Sequence, residues 1–204
     1  MVGTYPIGLA YFLINKLGVN LAIHSMNKIK THSETKAKVL TLPTSAWKEY
    51  KELRLAALKN EPQAFGSSYE RESAYPDEEW QERLKEAAEG KRHIFFARLD
   101  EKLVGMVAGG RDYEESNSNV AYIWGLYIDA SLRRKGIAKL LMSKVLEELS
   151  KDRGIQTIRL EANVEQESAV KLYESLGFKK TQAFLRRMGN GLEHQEIEMQ
   201  KRLK

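Results

Sequence analysis

Asn119 to Leu149 reads NVAYIWGLYIDASLRRKGIAKLLMSKVLEEL, three unlike segments in succession. Asn119 to Asp129 has the β-branched and aromatic content of a long central strand. Ile137 to Leu149 puts Ile137, Leu141, Val145 and Leu149 on one stripe, joined by Leu140 and Met142, as an amphipathic helix does. Between strand and helix stand Arg133, Arg134, Lys135 and Gly136. A helix start presents unpaired backbone N–H groups and the positive end of the peptide dipole, which together make an anion site. A glycine there lets the backbone approach a phosphate that a side chain would keep away, and Ala138 is small enough to allow the same. From Ala130 to Leu146 there are basic residues (Arg133, Arg134, Lys135, Lys139, Lys144) and no acid. A basic turn before a solvated helix face has the same composition, so the loop alone is weak evidence.

The flanking sequence extends one α/β pattern. Upstream, Lys38 to Leu42 alternates like a short strand, and Pro43-Thr44-Ser45 starts a helix that carries Trp47, Tyr50, Leu53 and Leu58 and stops at Glu61-Pro62. Pro76-Asp77-Glu78-Glu79 opens a second helix, which Gly90 closes. His93 to Leu99 and Lys102 to Ala108 form a hairpin about Asp100-Glu101. Downstream, Gly154 is read as the exit cap of the long helix, and Thr157 to Ala162 as a strand. Ser168 to Leu176, with Ala169, Leu172, Tyr173 and Leu176 on one face, is a short helix ended by Gly177. Phe178 to Arg187 and His194 to Lys201 form a last hairpin about Gly189-Asn190-Gly191. The expected domain is residues 38–204, with 1–37 as an extension of unclear role.

Composition removes several alternatives. The 204 residues carry a net charge of +5 and no cysteine, which excludes disulfides, thiolate catalysis and cysteine-bound zinc. His24, His32, His93 and His194 lack metal-ligand spacing, so no metal is expected. The apolar run Ile7 to Ile14 is short of the roughly 20 residues that cross a bilayer, and no membrane partner is expected. It lacks the basic lead of a signal peptide, and Met26 is an alternative start, so a cytoplasmic location is expected. Nucleic acid is not expected either, because the basic stretch 130–146 has no aromatic residue to stack on bases.

A second block decides the reading of the first. Leu160-Glu161-Ala162-Asn163 is followed by Ala169 and by Leu172-Tyr173-Glu174-Ser175-Leu176-Gly177-Phe178. Together the two blocks resemble the GCN5-related N-acetyltransferase (GNAT) family. Arg133, Gly136 and Ala138 match its cofactor loop; Ala169, Tyr173, Gly177 and Phe178 match its later block. The resemblance covers roughly Lys38 to Leu203. One position departs from it: Gln166 stands where the family usually has Asn, while Asn163 matches an Asn at the strand end.

The resemblance implies a single α/β (α+β) domain. Its central sheet is mixed but mostly antiparallel, splayed at the middle strands and flanked by helices. It implies acetyl-CoA as co-substrate, its pyrophosphate held by Arg133, Arg134, Lys135, Gly136, Ile137 and Ala138. Backbone groups of Leu126 and Ile128 would pair with pantetheine as an added strand, and an N–H near Leu126 or Tyr127 would polarise the thioester carbonyl. Asn163 and Gln166 complete the expected cofactor contacts. Transfer to a primary amine, by direct attack in a ternary complex, needs an acid for the departing thiolate and a base for the ammonium. Tyr173 is the family match for the acid. Glu161 is the candidate base, although strand alternation could turn it to solvent and a relayed water is an alternative. The acceptor would be a small-molecule or peptide amine. Nine acids between Glu61 and Glu89, against Arg71, Arg83 and Lys85, would suit a cationic one, although a solvated face has the same composition. A homodimer is compatible with the pattern. The competing reading is a non-catalytic acetyl-CoA-binding sensor or scaffold.

Overall fold

The computed structural model describes residues 37–111 and 119–203. The N-terminal extension read in the sequence, apart from its last residue, lies outside them.

Seven strands make one sheet in the order β1-β2-β3-β4-β5-β7-β6. They are β1 (Lys38–Leu40), β2 (His93–Leu99), β3 (Lys102–Arg111), β4 (Val120–Ile128), β5 (Thr157–Asn163), β6 (Lys179–Arg187) and β7 (Glu193–Arg202). Among the described residues β4 and β5 are the one parallel pair, and the remaining neighbours are antiparallel. The expected mixed, mostly antiparallel sheet with a parting at its middle strands is therefore present.

Helices cover both faces of the central strands. α1 (Trp47–Asn60), α2 (Tyr69–Ser73) and α3 (Asp77–Ala88) precede β2; α4 (Ile137–Leu149) follows β4, and α5 (Glu167–Ser175) follows β5. Leu141, Met142 and Val145 of α4 share a core with Val104, Ile123, Ile158 and Met199. Leu58, Trp80 and Leu84 of α1 and α3 share a second core with Phe96, Met106 and Tyr127. Because both faces of β3 are covered, Leu103 to Gly110 is buried without interruption, as the unbroken apolar run in its sequence requires.

Two expectations are corrected. Leu140 is not part of the buried stripe and is 48% exposed. At about 100° per residue the buried arc runs through Ile137, Leu141, Val145, Leu149 and Met142, and Leu140 falls on the opposite side. Gly154 is not the exit cap of α4. The helix ends at Leu149, and Ser150 closes it by donating its hydroxyl to the Leu146 carbonyl at 2.6 Å. The short helix α2 has no counterpart in the sequence reading, since five residues are too few to show a period. Its start is nonetheless specified, because the Ser68 hydroxyl accepts the Arg71 N–H at 3.2 Å.

Glu72 of α2 ties the three leading helices together. It is buried, and its carboxylate accepts from Arg54 of α1 at 2.6 Å and from Arg83 of α3 at 3.1 Å. Burial opposes its ionisation, but the Arg54 hydrogen bond and the charges of Arg54 and Arg83 outweigh that and hold its pKa below the usual value. Glu72→Ala leaves two guanidinium groups without their shared partner, and is expected to cost about 3–5 kcal/mol in urea unfolding at pH 7. A depressed native pKa gives stability that is complete above the unfolded pKa and fades as pH falls through the native one. The gap between wild type and Glu72→Ala should therefore narrow when unfolding is repeated below pH 4.

Candidate active site: a cleft where two strands part

β4 and β5 pair through Val120↔Thr157, Ala121↔Ile158 and Tyr122↔Arg159, and no further. Beyond Tyr122, β4 is bent. Met106 and Ala108 of β3 pair with Tyr127 and Trp124, so Gly125 and Leu126 together oppose one residue of β3. This is a β-bulge, and Gly125 takes φ +68°, a left-handed value that glycine adopts without strain. The bulge re-aims the strand just before its last residues.

The parting opens into a cleft of about 600 Å³. Leu126, Tyr127 and Ile128 of β4 line it, as do Arg134, Gly136, Ile137 and Ala138 at the start of α4. Gln166, Ala169 and Leu172 line it from α5 and the turn before it, and Gln63 to Phe65 from the segment after α1. Most of the residues expected to hold a cofactor are thus brought to one cavity. Lys135, Asn163, Glu161 and Tyr173 are not among its lining residues.

The loop between β4 and α4 is held by its own contacts. Asp129 accepts the Ser131 backbone N–H at 3.0 Å and its hydroxyl at 2.7 Å, and these bonds lower the Asp129 pKa. Arg133 donates from Nε to the Ile128 carbonyl at 3.2 Å and pairs through its guanidinium with Glu61. It therefore pins the strand end to the segment after α1. Lys144 is engaged by Glu147 and Glu148, and the basic residues that line the cleft are Arg133, Arg134 and Lys139. Arg134 and Gly136 both have left-handed backbones, at φ +66° and +80°. A Cβ on Gly136 would meet nothing within 4 Å, so the glycine is required by its φ and leaves the approach to the helix start open. The first turn of α4 offers N–H groups without intrahelical acceptors at the cavity wall. A pyrophosphate fits this donor set.

Tyr173 lies in the core, 7% exposed, with its ring edge-on to Phe178 at 6.2 Å. Burial pushes its phenol pKa up, which keeps it protonated. Its neighbour Leu172 reaches the cleft. The side chain of Tyr127 turns into the opposite core, where its hydroxyl accepts from Asn60 Nδ2 at 3.2 Å. Glu161 has both carboxylate oxygens engaged by Arg186. Asn163 is buried and accepts the Glu165 backbone N–H at 2.9 Å through Oδ1. Gln166 precedes α5, and its carbonyl accepts from Ala169 and Val170. In the acidic stretch 61–89, Glu61, Glu72, Asp77, Glu79, Glu82, Glu86 and Glu89 are paired with basic side chains. Sequence reasoning missed Gly125. A lone glycine inside a strand pattern is a signal for a bulge, and it was present.

The chain matches the model of the acetyltransferase (GNAT) family over residues 53–178 and belongs to that family. It is 38% identical over 89 residues to N-acetyltransferase 8 of Homo sapiens, covering 43% of this chain and 39% of that protein. It is 28% identical over 109 residues to the [ribosomal protein bS18]-alanine N-acetyltransferase of Escherichia coli K12, covering 53% of this chain and 68% of that one. The match thus spans well under half the length of the human relative. Among solved structures, a GNAT-family acetyltransferase from Streptococcus pneumoniae aligns with a TM-score of 0.71 at 18% identity, over 83% of this chain and 100% of that one. The structure of yncA from Salmonella typhimurium, solved with its cofactor acetyl-CoA, aligns at 0.68 and 13% identity, over 83% and 95%.

Gly136→Glu adds a strained backbone and a carboxylate where the pyrophosphate would lie. Acetyl-CoA affinity by calorimetry is expected to fall at least tenfold, about 1.4 kcal/mol, while the variant stays folded. Equal affinities would place the phosphates elsewhere.

Proposed function

We propose that the chain is an acetyl-CoA-dependent N-acetyltransferase, which moves the acetyl group to a primary amine by direct attack in a ternary complex. The observation that carries this reading is the parted β4–β5 pair opening onto the glycine turn of α4. Leu126 to Ile128 supply strand backbone to the cleft, suited to pairing with the amides of pantetheine as an added strand. An N–H of Leu126 or Tyr127, beside the bulge, would stabilise the charge developing on the thioester oxygen. Arg134 and the start of α4, including the Ile137 backbone, hold the pyrophosphate, and Gly136 and Ala138 let it come close. Gln166 borders the cleft from the start of α5, and Lys135 adds charge at the loop's outer side.

Tyr173 serves as the acid that protonates the departing thiolate. A phenol kept neutral by burial can donate. The acceptor is the amine of a peptide or small molecule. The names of the relatives, which include an alanine N-acetyltransferase acting on a ribosomal protein, favour the peptide amine. Residues 38–204 form the acetyltransferase domain, with 1–37 outside it, and a cytoplasmic location suits this role. No helix among the described residues is long and apolar enough to cross a membrane.

A thiol-release assay with acetyl-CoA and a panel of peptides with free α-amines, lysine peptides and polyamines tests the activity. Acetyl-CoA binding without thiol release from any amine would support the sensor or scaffold reading instead. With an accepted amine in hand, Tyr173→Phe should lower turnover on the order of 10²-fold and leave melting temperature and acetyl-CoA affinity nearly unchanged. Turnover within about twofold of wild type would return Tyr173 to a packing role. A chain beginning at Lys38 should melt and bind acetyl-CoA as the full chain does; failure to fold would make residues 1–37 part of the domain.

A further inference from the structure

Side chains alternate along β5 and β7, so one face of the pair collects polar groups while Ile158, Leu160, Ala162, Ile197 and Met199 enter the core. On the polar face Glu198 stands opposite Glu161, and Glu196 opposite Asn163. Glu196 and Asn163 are 3% and 2% exposed. Glu196 Oε1 and Asn163 Nδ2 are both buried without a hydrogen-bond partner. Buried polar atoms are almost always satisfied, so two exceptions on one cross-strand rung call for an explanation.

Neither residue of this rung lines the cleft, but the rung leads to its wall. It lies on the stretch of β5 that has already parted from β4. Asn163 Oδ1 holds the backbone of Glu165, and Glu165 and Gln166 line the cavity. The turn joining β6 and β7 is fastened to the same cavity's wall, where Gly189 N–H donates to the Phe65 carbonyl at 2.7 Å.

Most of the charges around Glu196 are matched. From β5, Glu161 is held by Arg186 of β6, and Arg159 lies 3.6 Å from Glu198 of β7. Glu198 also accepts from the Thr181 hydroxyl at 2.7 Å. His194 Nε2 lies 2.9 Å from Asn190 Nδ2, and Glu61, in the segment after α1, is paired with Arg133. Glu165 binds Asn163 through its backbone. Among the described residues, Glu196 Oε1 is the buried carboxylate oxygen left without a donor. Burial first, and then the charge of Glu161, push the Glu196 pKa up to about 7, with Arg186 opposing in part.

We propose that Glu196 is the general base of the transfer, taking a proton from the acceptor's ammonium, while Asn163 Nδ2 and the Glu161–Arg186 pair position the two groups. The proposal rests on the N-acetyltransferase reading above. The ammonium gives one proton to the Glu196 carboxylate. The freed lone pair forms the N–C bond as the C–S bond breaks. The surplus proton on nitrogen replaces the one that the thiolate takes through Tyr173, and Glu196 returns its own to solvent. Ammonium and thioester thus yield amide, thiol and one proton. Glu161, the base read from sequence, becomes a positioning residue, since both its oxygens are occupied by Arg186.

The test compares the pH dependence of kcat/KM for wild type, Glu196→Gln and Glu161→Gln, with acetyl-CoA and an accepted amine from the panel. Wild type should lose activity below an acid limb at about pH 7. Glu196→Gln keeps the side-chain shape; it should lose the limb and about 10²-fold in turnover while binding acetyl-CoA as wild type does. Glu161→Gln should keep a limb, moved to lower pH, which a purely structural role would not do. Glu196→Gln with the wild-type limb and turnover within about twofold overturns the assignment and leaves the transferase reading standing. A wild type that binds acetyl-CoA but acetylates nothing in the panel overturns that reading, and this role with it. Carboxyl carbon shifts of the wild-type chain give an answer without any variant: titration of Glu196 near pH 7 supports the proposal, and titration in the ordinary range near 4.3 overturns it.

Discussion

β4 and β5 stay paired for only the Val120–Tyr122 and Thr157–Arg159 stretches, and the site depends on that early separation. Two parallel strands that part leave unpaired N–H and C=O groups facing one another, a cost that a continuous sheet avoids. The cost is tolerated because the strands are held apart from outside the gap. β4 stays bound to β3 through the bulge at Gly125, and β5 is paired along its whole length with β7. α4 and α5 pack into one core below them. A gap propped open by elements already satisfied elsewhere is preorganised for a ligand that brings amides of its own.

The same separation explains the loop before α4. Once β4 ends at Ile128, the chain must turn and start a helix whose first turn meets the cleft. Asp129 fixes the first part of the turn through Ser131, Arg133 fixes the middle through Ile128 and Glu61, and left-handed residues at Arg134 and Gly136 complete it. Basic charge in this loop therefore has two uses. Arg133 braces the fold, and together with Arg134 and Lys139 it lines the cavity.

Periodicity made the fold legible. The stripe of Ile137, Leu141, Val145 and Leu149, the Asp100-Glu101 hairpin and the last hairpin about Gly189-Asn190-Gly191 are local signals, and each stands where the sequence put it. The glycine loop before α4 was legible for the same reason, since strand, glycine turn and helix are contiguous. Composition without angle or cap misled at two local positions, and features set by distant contacts were not legible. Leu140 has the composition of the stripe but the wrong angle, and Gly154 follows a helix that had already closed at Ser150. Glu196 sits in EHQEIEMQKR, which alternates like any half-exposed strand. Only the pairing of β7 with β5, and the cover supplied by distant segments, turn that glutamate into a buried carboxylate beside Asn163.

The central claim is that acetyl-CoA occupies the gap between β4 and β5 with its pyrophosphate at the start of α4. Backbone amide shifts followed during an acetyl-CoA titration test it most directly. The account predicts the largest changes at Leu126 to Ile128 and at Arg134 to Ala138, with small ones in α1 and α3. Saturable binding that leaves those amides unmoved and shifts residues elsewhere would contradict it.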